Sequence, residues 1–318
     1  MKRISLSVIA ALVISCSAPV YAQQAGATPE EVIADRMAKG NQFVHARDYA
    51  QAELQYREAV RAAERIGPAS NELIQPLHAL AVAYANQSKH AEADATFRRL
   101  LAVQENTIGP DDPQVAATLL AIAFASELLE KNAEALRFFQ RALALLEMKF
   151  GPNHAQVADA LAALAGFQVR LGQYAEAQPL LDRALPLQEK AQAPDSPILG
   201  GTLYNLGKAY NELDQATKAE PVLRRAVAVL EGYLGPENPY LAGPLHELAR
   251  AYSDQEKYAQ AEPLYRRVVE LREKEFGRDA PELVPILEDL SALLLQTGRR
   301  QEAAVVKLRA DAIRSKQQ

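Results

Sequence analysis

The chain has no tryptophan and a single cysteine, Cys16, and aromatic residues make up only 6% of its 318 positions. A core must then be assembled from Ala and Leu rather than from rings, which suits closely packed helices. No glycine-rich phosphate loop is present, and the net charge of -5 comes without any clustered basic tract. Binding of nucleic acid or another polyanion is therefore not expected. The five histidines, at positions 45, 78, 90, 154 and 246, are scattered, and no His-Glu-x-x-His helix exists. Paired carboxylates in an apolar setting and a nucleophile beside a base are also missing, so neither an enzyme nor a metal or cofactor site is expected.

Residues 1–22 form a separate object. Lys2 and Arg3 give a positive start, Ile4 to Ile14 an apolar run too short to span a bilayer, and Val20-Tyr21-Ala22 a small-residue cleavage site. This pattern is that of an export signal, leaving Gln23 as the first mature residue and a short linker over 23–29. A second reading uses the sequence Val13-Ile14-Ser15-Cys16, which has the form of a bacterial lipobox and would make Cys16 a lipidated first residue. The first reading predicts a periplasmic or secreted protein with no cysteine left, the second a membrane-anchored lipoprotein whose only membrane contact is that lipid.

What the chain does have is repetition. Segments open at Gly67-Pro68, Gly109-Pro110, Gly151-Pro152, Ala193-Pro194, Gly235-Pro236 and Gly277-Arg278, a period of 42 residues without insertions. Periods of this length signal stacked structural units. Counting a shorter first unit, the repeats lie near 30–66, 67–108, 109–150, 151–192, 193–234, 235–276 and 277–318. Within the fourth, Leu161, Leu164 and Ala165 mark one face of a first helix, Gly172 a break, and Tyr174, Ala177, Leu181 and Ala184 one face of a second. Gly-Pro closes each second helix, with the glycine expected in the left-handed conformation. Asp112, His154, Ser196 and Asn238, with Ser70, stand where the next helix needs a cap. Pro186 falls inside the second helix of repeat four and predicts a kink near Arg183.

The recurring residues resemble the tetratricopeptide repeat. Repeat five carries Leu203, Leu206, Gly207, Tyr210, Ala219, Leu223 and Ala226, and repeat six Leu245, Leu248, Ala249, Tyr252, Ala261 and Tyr265. The phrases Leu203-Tyr204-Asn205-Leu206 and Ala261-Glu262-Pro263-Leu264-Tyr265, with the long period, look most like the 42-residue subclass found in kinesin light chains. The resemblance spans about residues 30 to 316 and implies an all-α fold, a right-handed α-solenoid of about seven helix-turn-helix repeats filling 30–318.

It also implies a concave groove lined by first helices, where a protein or peptide partner would be held. In repeat three the groove positions are Leu120, Phe124, Glu127 and Leu128, of which the apolar three form a stripe opposite the packing residues Leu119, Ile122 and Ala123. Ala162 and Gly166 fill the matching positions of repeat four, and so leave the stripe uncovered from that side. Burial as ordinary core is the competing reading of the stripe. Repeats five and six offer a polar wall of Tyr204, Lys208, Asn211, Glu212, His246, Arg250 and Asp254, able to hydrogen-bond a peptide or simply to form a solvated face with charge pairs. Arg99, Arg141, Arg183, Arg225 and Arg267 recur once per repeat on the second helices and read as a solvated convex face. Lys307, Arg309, Arg314 and Lys316 make the end of repeat seven polar, which predicts a water-facing terminus and a monomer.

Overall fold

The computed structural model describes residues 27–191, 193 and 195–316. The leader 1–22, Cys16, and Pro194 of the fourth opening lie outside the described residues. Among the described residues there are fourteen α-helices. They are α1 (Pro29–His45), α2 (Tyr49–Ile66), α3 (Ile74–Asn86), α4 (His90–Thr107), α5 (Pro113–Leu128), α6 (Asn132–Phe150) and α7 (Ala155–Arg170). The rest are α8 (Tyr174–Ala191), α9 (Pro197–Glu212), α10 (Ala216–Leu234), α11 (Ala242–Ser253), α12 (Tyr258–Phe276), α13 (Val284–Gln296) and α14 (Arg300–Ser315). They pair in sequence order, one pair per repeat. Within the expected span 30–318 the chain forms two compact units, one ending at Pro152 with α1 to α6 and one beginning at Asn153 with α7 to α14.

The period is written most directly in the backbone. The turn inside each pair contains one residue with positive φ: Arg47, Ser88, Glu130, Gly172, Asp214, Glu256 and Gly298, with φ between 57° and 79°. Glycine adopts that conformation freely, whereas the five other side chains are strained there. The sequence signals this turn only at Gly172 and Gly298. Between pairs, Gly151, Gly235 and Gly277 cap the second helices with φ of 78°, 84° and 92° and ψ of 155° to 165°. That region differs from the left-handed cap expected and is open essentially to glycine alone. Gly67 departs again, with an extended φ of 175°.

Caps follow the residue chemistry. Thr28 and Glu31 reciprocally cap α1, each side chain bonded to the other's backbone N–H. The Asp112 carboxylate accepts from the Gln114 amide at 2.8 Å, and His154 Nδ1 accepts from the Gln156 amide at 3.3 Å. His154 is thus a helix cap, as its place before α7 indicates. Pro186 does not interrupt α8, which continues as one α-helix from Tyr174 to Ala191 past both Pro179 and Pro186.

Small residues let paired helices approach. A Cβ on Gly207 of α9 would lie 2.3 Å from Cγ of the buried Leu223 on α10. Around these contacts Phe97, Phe139, Leu119 and Ile122 fill the core of the first unit, while Leu181, Leu223, Leu245 and Tyr265 belong to that of the second. Each apolar stripe is covered by its own pair and by the neighbouring pair of the same unit, the arrangement that stabilises repeat proteins.

Polar side chains tie successive repeats together. Lys89 reaches back to Glu53 at 2.6 Å, Lys131 to Asp94 at 3.7 Å, Lys257 to Glu220 at 2.5 Å and Arg299 to Glu262 at 2.7 Å. The recurring arginines do the same on the second helices: Arg99 pairs with Glu64 at 2.6 Å, Arg267 with Glu231 at 2.8 Å, and Arg141 and Arg225 with Glu105 and Glu189. The expected solvated face is therefore an ordered ladder of inter-repeat pairs, each contributing at most about 1 kcal/mol at such exposure.

The exposed face of α13 and α14 is less polar than expected. Lys307 and Arg314 do share Glu288 and Asp311 in ion pairs. Leu295, Val305 and Leu308, however, are 56%, 68% and 68% exposed.

Candidate interaction site

α5 is apolar on nearly every side, a composition that requires cover all round. Its packing side obtains that cover: Leu119, Ile122 and Ala123 are inaccessible to solvent. The opposite stripe is only partly closed, with Leu120, Phe124 and Leu128 all half-buried. Phe124 sets its edge against Phe139 of α6, with ring centroids 5.1 Å apart at 88°. That contact anchors one side of Phe124 in the repeat core and holds the ring in place, while the remainder stays accessible. The stripe is thus both core and surface, and neither alternative read from the sequence describes it alone.

Ala162 and Gly166 lie on α7, in the second unit. Ala162 is half-buried and Gly166 buried. A Cβ on Gly166 would come within 3.1 Å of Asn205 Nδ2 and 3.5 Å of Arg170 Nη1. Gly166 therefore serves the approach of α7 and α9, and contributes no open wall.

The polar positions of repeats five and six converge more tightly than a groove wall would. Asn211 is 4% exposed and donates from Nδ2 to the Glu247 carbonyl at 2.9 Å and to its carboxylate at 3.0 Å. Arg250 in turn donates to Glu212 at 2.7 Å and to Glu247 at 3.2 Å. Burial opposes the charge on this guanidinium, but the Glu247 and Glu212 carboxylates beside it raise its pKa above the ordinary arginine value. Asn211 and Arg250, expected to grip a peptide, instead clasp repeat five to repeat six. His246 is likewise engaged, its Nε2 2.7 Å from Asp289 of α13 and its ring edge-on to Tyr265.

What remains accessible on this face is a smaller set. Lys208 is half-buried and makes no ion pair or hydrogen bond with the described residues. Asp254 is exposed, with its carboxyl raised first by partial burial and then by the Asp214 and Asp289 charges, against the opposing pull of Arg250. The Tyr204 phenol is pushed up to about 12, by burial first and by the Glu247 carboxylate second, so it stays a neutral donor. Its hydroxyl lies 3.1 Å from the Cβ position of Gly243, a neighbour that only a small residue could be. Sequence reasoning missed Glu247 and Asp289 because neither occupies a groove offset. The signal for Glu247 was the spacing of 36 residues from Asn211, the same as that of Arg225 from Glu189.

Among the described residues no three His, Cys, Asp or Glu side chains are grouped to hold a metal ion, and no helix is long and apolar enough to cross a membrane.

Helix pairs at a fixed period, braced by residues of the adjacent repeat, define an all-α helical-repeat protein. The chain belongs to the tetratricopeptide repeat family, whose model matches residues 72–148, 114–190, 156–232, 199–274 and 240–310. Among solved structures it is similar to a putative kinesin light chain with nearly identical repeats from Podosopora anserina, at 24% identity over 65% of this chain and 97% of that one, TM-score 0.53. It is also similar to BtubC from P. vanneervenii, at 18% identity over 79% and 94% of the two chains, TM-score 0.56. The apo form of RapI aligns at 15% identity over 89% and 98%, TM-score 0.64. At such identities the likeness concerns the fold alone. No curated protein is matched. Tetratricopeptide repeat proteins generally mediate protein–protein interactions and are typically non-catalytic scaffolds.

Proposed function

We propose that this chain is a non-catalytic scaffold or adaptor of the bacterial cell envelope, which holds a protein or peptide partner against its first helices. The α5 stripe takes an apolar residue of that partner. The observation that supports this reading is the half-open state of Leu120, Phe124 and Leu128 on a helix whose other side is fully buried. A partner side chain laid along the stripe would complete its removal from water without displacing any internal contact. Lys208 and Asp254, neither tied up by a partner in the clasp, offer polar anchor points in the second unit.

The envelope assignment rests on the leader of residues 1–22. Lipidation of Cys16 supports a second reading, a membrane-anchored structural component of an export or cell-wall assembly machine. Mass spectrometry of the mature N-terminus separates the two: Gln23 marks the free form, acylated Cys16 the anchored one.

Selection of a random peptide library against the purified chain tests the site. Enriched peptides should share an apolar residue, and Phe124→Ser should weaken their binding at least about tenfold while leaving the helical circular dichroism unchanged. Full-strength binding by a folded Phe124→Ser chain would remove α5 from the site.

A further inference from the structure

The first helices of repeats one and two start differently. Thr28 caps α1 directly, whereas α3 is entered through a 3-10 turn, Asn71–Leu73. Between the two starts lies a cleft of about 250 Å³. Its floor is apolar, made by the half-buried Ile33 and the buried Pro76. Its rim is polar and exposed, with the carboxylates of Glu30 and Glu72 and the amides of Asn71 and Gln75. A cleft of that volume is smaller than a small-molecule site and suits a single side chain.

The rim carries unbalanced charge. None of its four side chains makes an ion pair or a hydrogen bond with the described residues. The lysine and arginine of α1 are committed elsewhere: Lys39 lies 2.8 Å from Asp35, and Arg36 lies 3.8 Å from Asp35 and donates to Gln55 Oε1 at 3.1 Å. Residues 71–86, the turn and α3, contain no Lys or Arg. Glu31, the other acid of the first turn, already accepts from the Thr28 amide at 2.9 Å. The cleft therefore offers two unanswered negative charges and two free amide oxygens above an apolar floor.

An arginine side chain matches each of these parts. Its methylene stem can cover Ile33 and Pro76 while the guanidinium stays at the wet rim. Five N–H donors and no acceptor suit carboxylates and amide oxygens, and a permanent positive charge suits two unpaired glutamates. An acidic residue would be repelled, and a purely apolar one would leave the rim unanswered. We propose that this cleft is a binding site for an arginine side chain of a peptide or protein partner. It rests on the reading that a partner lies along first helices, but not on the α5 stripe.

The probe is a short blocked peptide with one arginine between leucines, compared with its citrulline analogue, which keeps the shape and loses the charge. Titration followed by the backbone amide NMR signals of the full chain reads both affinity and place. The arginine peptide should shift the signals of Ile33, Ala34, Glu72 and Gln75, and the citrulline peptide should bind at least about fivefold more weakly. Glu30→Lys combined with Glu72→Lys turns two attractions into repulsions and should weaken the arginine peptide at least about tenfold. Glu92→Lys with Asp111→Lys reverses two other exposed carboxylates, changes the net charge equally, and should leave the affinity within about twofold. Glu30 and Glu72 are exposed, so the fold should be retained, as checked by circular dichroism. Should the double reversal fail to fold, Glu30→Gln with Glu72→Gln carries the same comparison. Phe124→Ser should bind the probe at wild-type strength. Loss in Phe124→Ser with none in the reversed chain overturns the cleft and leaves the α5 stripe standing. Equal affinity for the citrulline peptide, or shifts confined to other residues, also overturns the proposal. Shifts at the cleft seen only in a chain that starts at Gln23 would give it to the chain's own Lys2 and Arg3, and shifts with chain concentration alone would give it to a second copy; either result overturns it as well.

Discussion

Asn211→Val puts into repeat five the residue that repeat four carries at the same register, Val169. The change removes a hydrogen bond to the Glu247 carbonyl at 2.9 Å and one to its carboxylate at 3.0 Å. A neutral buried bond contributes about 1 kcal/mol and one to a charged group about 1.5–3 kcal/mol. Against this, the buried Asn211 Oδ1 has no hydrogen-bond partner, and removing it recovers about 1–3 kcal/mol of desolvation cost. Glu247 keeps Arg250 at 3.2 Å, so no charge is orphaned. At the centre of these ranges the net loss is about 1 kcal/mol, measured by urea unfolding with an unchanged m-value. A double-mutant cycle with Glu247→Ala isolates the carboxylate bond, because the Glu247 backbone carbonyl survives that change, and should return a coupling of about 1–2 kcal/mol. A coupling indistinguishable from zero would mean that the two repeats are not clasped through this pair, and the argument that removes Asn211 from the binding surface would fail.

Leu164→Ala, at a site only 4% exposed on α7, should cost about 2–5 kcal/mol through a cavity, read by the same unfolding assay. Glu256→Gly should stabilise by up to about 1 kcal/mol, since the residue sits at φ 60° and the relief of left-handed strain exceeds the added chain entropy; a lowered melting temperature would contradict this. Glu53 supplies a pH dependence. Burial raises its carboxyl, but hydrogen bonds from Lys89 and Gln87 and the charges of Lys89 and Arg57 bring it below the ordinary 4.5, so its stabilisation is full above that value and fades as pH falls through the depressed one. Glu53→Gln should flatten the acid limb of the stability profile, and an unchanged slope would count against the Lys89 pairing.

The fold was largely legible because its determinants are local and repeated. The Leu161 to Ala184 pattern, the helix cap at His154 and the closing glycines each act within a few residues of themselves, and their recurrence multiplies the signal. Arg47, Ser88, Glu130, Asp214 and Glu256 hid the turn geometry, because packing of the paired helices forces positive φ on residues that do not favour it. The site was less legible for a related reason. Groove offsets place a side chain on a helix face but not its partners, and Asn211 and Arg250 meet Glu247 and Glu212 from an adjacent repeat.

The central claim is that a partner lies along first helices, with α5 in direct contact. Site-specific photocross-linking measures this most directly, using a photoreactive phenylalanine at position 120 and, in a second chain, at position 141 on α6, with a peptide enriched by selection. The account predicts a covalent peptide adduct at position 120 and none at position 141. An adduct at position 141 alone would place the partner on the second helices and contradict it.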